Sequence, residues 1–287
     1  MRTQPRFLTP LEVAQSFILT GKQKAHLPFD KMLVLGILAG VYIGFGAHLA
    51  TVVATGPCDY FGLKRLLVGA AFSVGLMLVL VPGAELFTGN NLLSVSLCSG
   101  QVSKGAVLRN WGIVYLGNLV GSLLLAFIVA YGSGLLDGEV GATALKLAAA
   151  KTSPDAVAGL SHNYMFFFRA IGCNWLVCLA VMMAVASRDI VSKIWSCFFP
   201  IMAFVASGFE HCVANMYFIP AGIFAKAFPK AVELSGLAPT QLDGLNWGSM
   251  WTQNLISVTL GNMLAGAVFV GVAYYYVYCR GRSSGAD

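Results

Sequence analysis

The chain has 287 residues, of which 57% are hydrophobic and 10% charged, with a mean hydropathy of +0.76 and a formal net charge of +6. Soluble domains carry about a quarter of their residues as charges, so a water-soluble globule is excluded. A membrane-crossing helix needs about 20 apolar residues, so spans and short loops fill the length and leave no room for a separate catalytic domain.

The first 31 residues are polar and carry Arg2, Arg6, Lys22, Lys24 and Lys31. Apolar positions at helical spacing over 10–24 predict a short amphipathic surface helix. The first apolar run starts at Met32, is too long for the core of a signal peptide, and is read as a retained span over 32–54. An apolar stretch over 66–99 is too long for one helix and is broken by a polar run at 83–91. A third span covers 110–131. After a loop rich in Gly, Ala and Ser, a fourth covers 163–186, a second interrupted stretch covers 194–226 with its break at 208–215, and a sixth span covers 251–278. The organisation is therefore an N-terminal segment (1–31), a six-helix transmembrane domain (32–278) and a tail (279–287), all-α and anchored in the lipid bilayer.

Six spans put both termini on one side. Eleven basic residues fall on that side and six in the opposite loops, with Arg169 inside the fourth span near its outer end. That asymmetry predicts a multi-pass protein of the inner membrane with both termini cytoplasmic. The basic residues form no stripe interleaved with exposed aromatics, so nucleic acid is not a partner. Seven cysteines lie mostly in apolar stretches without CxxC spacing and are read as small buried side chains. No metal and no cofactor are expected.

The two interrupted stretches are related. A shift of 125 positions lays Gly83 on Gly208, Glu85 on Glu210 and Asn90 on Asn215, and a shift of 144 lays Asn110 on Asn254 and Gly117-Asn118 on Gly261-Asn262. Three spans followed by three more predict a 3+3 inverted repeat, a common plan of channels and transporters. Irregular backbone at membrane depth survives only where protein buries it or water reaches it, so two breaks imply a path. Half-helix N-termini with open N–H groups favour an anion beside them.

His211 sits at the second break, and an ionisable residue inside the membrane is read as functional. Its imidazole can donate a hydrogen bond to an anion, or a proton. Glu85 and Glu210 are expected to accept hydrogen bonds from backbone amides at their own breaks. Thr88 can offer its hydroxyl to a solute or cap the half-helix. Phe72, Leu76 and Phe204 can form apolar constrictions or simply pack.

The segments Gly-Ala-Glu-Leu-Phe-Thr-Gly-Asn (83–90), Tyr-Leu-Gly-Asn-Leu-Val-Gly (115–121), Cys-Asn-Trp-Leu-Val-Cys-Leu-Ala (173–180), Ser-Gly-Phe-Glu-His-Cys-Val-Ala-Asn-Met (207–216) and Val-Thr-Leu-Gly-Asn (258–262) together resemble the formate/nitrite transporter family over about residues 10–280. The resemblance implies a homopentamer of aquaporin-like protomers, each with its own pore for small monovalent anions. It makes His211 the central histidine, Thr88 the threonine facing it, Asn174 a pore-side amide and Lys151 the outer lysine that draws anions in. Phe72, Leu76 and Phe204 then line the constrictions, while Glu85, Glu210, Asn90, Asn215, Asn118 and Asn262 hold the breaks.

The expected function is transport of formate, proton-coupled at low pH, with nitrite, hydrosulfide, lactate or acetate as alternative solutes. The absence of an Asn-Pro-Ala pair at the breaks argues against a neutral-solute channel of aquaporin type. Four scattered histidines argue against a membrane enzyme or haem-bearing anchor.

Overall fold

The computed structural model describes residues 7–152 and 160–281; Arg2, Arg6 and Arg282, and all but the start of the C-terminal tail, lie outside them. The described residues are helical throughout, apart from loops and an isolated bridge between Phe7 and Ser187. Helix α1 (Pro10–Ala25) precedes span α2 (Phe29–Ala54). Span α3 (Phe61–Gly83) leads through the first break into two short pieces, α4 (Phe87–Asn90) and α5 (Leu93–Cys98), and then span α6 (Lys104–Gly132). The second half runs through α7 (Glu139–Thr152), span α8 (His162–Ala186), span α9 (Ile190–Ser207), the second break, half-helix α10 (Cys212–Ala225), short connectors α11 (Pro229–Ser235) and α12 (Pro239–Gly244), and span α13 (Trp247–Cys279). Six of these are long and apolar enough to cross a membrane.

The packing repeats along with the order. In the first half α2 lies along α6, and in the second α8 lies along α13; α1 packs on α5 as α7 packs on α10. Each half is thus a short helix, a span, a broken span and a span. Three crossings per half reverse the orientation of the second unit, which makes the repeat inverted.

Two expectations need correction. The surface helix expected at 10–24 buries Val13, Ala14, Phe17, Gly21 and Ala25, and Ser96 donates from its hydroxyl to the Phe17 carbonyl at 2.8 Å, so α1 is part of the bundle. The segment read as a loop after the third span contains α7, a 14-residue helix that buries Gly141, Ala142, Ala144, Leu145, Ala148, Ala149 and Thr152. Its small residues give little hydropathy signal, but they let it seat closely: a side chain on Gly222 would overlap Ala148.

Both breaks open on a glycine in the left-handed region, Gly83 at φ +96° and Gly208 at φ +80°. Only glycine adopts this freely, which explains why the repeat keeps it at both points. Before Gly83, a π-helical turn at Val79–Gly83 contains Pro82, which has no N–H to give the ladder.

Close approach of backbones holds each half together, as in other membrane bundles where small residues line helix contacts. Gly36 and Gly117 face each other across α2 and α6, and a side chain on Gly121 would overlap the Ile37 carbonyl. Gly121→Ala is therefore expected to cost about 1–3 kcal/mol through forced separation of the two helices, read as a lowered thermal midpoint in detergent. Gly112→Ala on the same helix, where nothing lies within 4 Å of the added carbon, is expected to leave the midpoint unchanged or raise it.

Candidate functional site

The two breaks are held by duplicate hydrogen-bond sets. Asn118 on α6 accepts from the Phe87 amide at 2.9 Å and donates to the carbonyls of Gly36 and Glu85 at 2.8 and 2.9 Å. Asn262 on α13 accepts from the Cys212 amide at 2.9 Å and donates to the carbonyls of Ala170 and Glu210 at 2.8 and 3.0 Å. The Glu85 and Glu210 amides donate to the carbonyls of Leu35 and Arg169. Unpaired backbone groups at membrane depth cost several kcal/mol each, and these two amides remove that cost.

Both carboxylates are buried, and their partners are side chains rather than the backbone amides expected from sequence. Glu85 accepts from Lys24 Nζ at 2.8 Å and Asn90 Nδ2 at 2.6 Å. Glu210 accepts from Lys151 Nζ at 2.7 and 2.9 Å and Asn215 Nδ2 at 2.7 Å. Asn90 and Asn215 each donate also to a further amide, Asn110 and Asn254, which in turn donate to the carbonyls of Lys24 and Lys151. Lys24 was not singled out in the sequence. Its equivalence to Lys151 emerges only once α1 and α7 are recognised as the same element of the repeat.

The breaks meet in the middle of the bundle. Thr88 Oγ1 and His211 Nε2 lie 2.9 Å apart, both buried. His211 is also the N-cap of α10: its Nδ1 accepts from the Ala214 amide at 3.0 Å. An amide can only donate, so Nδ1 carries no proton, and the ring hydrogen of the neutral form sits on Nε2 and points to Thr88. The tautomer follows from the partners. Among the described residues the Thr88 O–H then meets no acceptor.

Asn174 was expected to face the pore. Its amide instead braces the first break, donating to the Thr88 carbonyl at 3.2 Å, Asn91 Oδ1 at 2.9 Å and the Asn262 carbonyl at 2.7 Å. Three amides at the two half-helix starts also have side-chain partners, Phe87 with Asn118, Cys212 with Asn262 and Ala214 with His211.

Charge is concentrated in a cavity. On the side away from the termini a cavity of about 540 Å³ is lined by Arg65, Lys151, Arg169 and Glu210, with His211, Phe72 and Phe204 among its apolar and polar walls. Three cations and one carboxylate give its lining a formal charge of +2. Arg65 is tied to the end of α9, donating from Nε to the Ala206 carbonyl at 2.8 Å. On the terminal side a smaller cavity of about 40 Å³ is lined by Lys24, Leu76, Leu86, Gly89 and Asn90. Phe72 meets Phe204 edge-on at 5.7 Å, and Phe204 stacks on His211 at 6.0 Å. Phe72, Phe204 and His211 thus line the outer cavity and Leu76 the inner one, with the buried Thr88–His211 contact joining the two breaks. Among the described residues no group of three His, Cys, Asp or Glu is placed to hold a metal.

The sequence profile of the family described as Formate/nitrite transporter matches residues 11–276. The chain is 42% identical over 286 residues to the probable formate transporter of Methanothermobacter thermautotrophicus, covering 96% of this chain and 98% of that one. It is 35% identical over 279 residues to the formate channel FocA of Escherichia coli K12, covering 95% of each. A solved structure described as a pentameric formate channel with formate bound superposes with a TM-score of 0.76 at 37% identity, covering 87% of this chain and 97% of that one.

Breaking either Lys–Glu pair strands a buried carboxylate. Lys24→Met is expected to destabilise toward the lower end of the ~3–5 kcal/mol typical of such losses, because the lysine side chain remains 30% exposed to solvent. Adding Glu85→Gln is expected to recover most of it, and thermal unfolding of the single and double variants in detergent checks this; equal loss in both contradicts the pairing.

Proposed function

The chain belongs to the formate/nitrite transporter family, and from that membership we propose that it is a membrane channel for small monovalent anions with formate as its solute. The observation that carries the reading is the buried Thr88–His211 contact, with cavities that both hold basic residues to either side; in this reading Phe72, Phe204 and Leu76 close an apolar septum around it.

An anion concentrated in the positive outer cavity has to lose water to pass Phe72, Phe204 and Leu76, a step costly for any bare ion. The two donors at the septum offset part of that cost. When an anion enters between them, His211 Nε2–H turns from Thr88 to the anion, and the Thr88 O–H becomes a second donor. Lys24, paired to Glu85, lines the cavity on the far side.

Of the two uses of the imidazole, hydrogen-bond donation is the one the geometry supports. A second ring proton at Nδ1 would face the Ala214 N–H and undo the cap of α10. A proton that accompanies the anion at low pH therefore comes from water in the cavity, since neutralising the anion removes most of its desolvation cost. Nitrite, also bent and bearing two oxygens, fits the same pair of donors and is the second solute in the family's description.

The assembly is a homopentamer, as in the formate channel with which the chain superposes. Exposed apolar side chains such as Leu116, Val120, Leu124 and Phe127 on one helix supply surface for neighbours and lipid. The protein sits in the inner membrane with both termini cytoplasmic, following the excess of basic residues on that face.

Uptake of formate into proteoliposomes tests this. Thr88→Val and His211→Ala are each expected to lower uptake about tenfold or more, the loss of one charge-assisted hydrogen bond. His211→Asn, which keeps a capping oxygen and a donor, is expected to retain the wild-type pH profile at reduced flux. Loss of that profile makes the ring the proton donor, and unchanged flux in His211→Ala removes it from the path.

A further inference from the structure

The two halves differ where they should not if the cavity were only a product of the fold. Leu35 and Arg169 occupy the same place in the repeat: the carbonyl of each accepts the amide of the break glutamate, and the next residue of each, Gly36 and Ala170, accepts from the break-holding asparagine. The first half has an apolar side chain there, and the second has a guanidinium.

That guanidinium lines the outer cavity and is exposed, with its Cζ 5.6 Å from the centre of the buried Phe166 ring. Among the described residues it makes no hydrogen bond and no ion pair. The other cations of the cavity are committed. Lys151 grips both oxygens of Glu210, and Arg65 donates to the carbonyls of Ala206 and Val205.

We infer that Arg169, and not Lys151, is the anion-receiving residue of the outer cavity, and that its planar fork selects anions bearing two oxygens. Guanidinium matches a carboxylate with two parallel N–H···O bonds, whereas an ammonium acts as a point charge. Stacking on Phe166 holds the plane while leaving the donor edge open. A two-oxygen anion such as formate or nitrite engages both donors, and a one-atom anion such as hydrosulfide engages the charge alone. Lys151 is left the task of neutralising Glu210 beside the septum. This inference rests on the anion-channel reading above and adds the residue that sets its preference.

The test is the concentration dependence of formate uptake in proteoliposomes, with hydrosulfide as competitor. Arg169→Leu restores the residue of the first half and keeps the backbone bond to Glu210. It is expected to raise KM for formate about tenfold, the loss of a charge-assisted pair of bonds, with little change in maximal rate. Arg169→Lys is expected to raise KM for formate severalfold while the inhibition constant of hydrosulfide stays at the wild-type value.

An unchanged KM in Arg169→Leu overturns the inference, and a wild-type KM in Arg169→Lys overturns the fork. Wild-type protein that takes up no formate contradicts the channel reading instead. Saturation-transfer NMR of formate on the solubilised wild type and Arg169→Leu then reads the site without transport: loss of the signal in the variant supports it, and equal signals refute it.

Discussion

Polar groups removed from water at the middle of the bundle have to find partners within the protein, and the rest of the structure depends on how that is done. Interrupting a span twice frees backbone donors and acceptors at the point where solvent is scarcest. Asn118 and Asn262 close one set at each break, and a lysine, a glutamate and two further amides close the other. His211 belongs to the same arrangement, since its ring caps α10. The chemistry open to it is set by this structural duty: with Nδ1 occupied, only the Nε2 edge is left, and it faces Thr88.

The inverted repeat separates scaffold from function. Where the halves carry the same residue, as at Gly83 and Gly208, Glu85 and Glu210, Asn90 and Asn215, Asn118 and Asn262, both copies do the same mechanical work. Where they differ, the difference falls at the Thr88–His211 contact and on the lining of the outer cavity. Leu86 stands opposite His211, Val213 opposite Thr88, and Leu35 opposite Arg169. One half thus supplies the hydroxyl, and the other supplies the imidazole and the exposed guanidinium. A symmetric frame with asymmetric substitutions gives the two cavities unequal size and charge.

Much of this was legible in the sequence, because spans announce themselves by hydropathy and the breaks by polar residues inside apolar runs. The matching of Gly83 with Gly208 and of Glu85 with Glu210 placed both interruptions, and the two meet at Thr88 and His211. Helix α7 was not legible, since its Ala- and Gly-rich composition carries neither strong hydropathy nor a clear cap. Missing it hid the equivalence of Lys24 with Lys151, and so left the glutamates without their true partners. The partners of Asn174 are not legible for a different reason. A buried amide in the middle of α8 serves backbone or solute equally well by sequence, and only geometry shows three carbonyl-type acceptors around its Nδ2.

The account's central claim is that the ring at the septum stays in one hydrogen-bonded form while anions pass. Solid-state ¹⁵N NMR of histidine-labelled protein in lipid, with His211 assigned by difference from a variant, reads this directly. The account predicts an unprotonated Nδ1 and a protonated Nε2 for His211 across the whole pH range in which flux changes. A doubly protonated ring that appears in step with transport would contradict it.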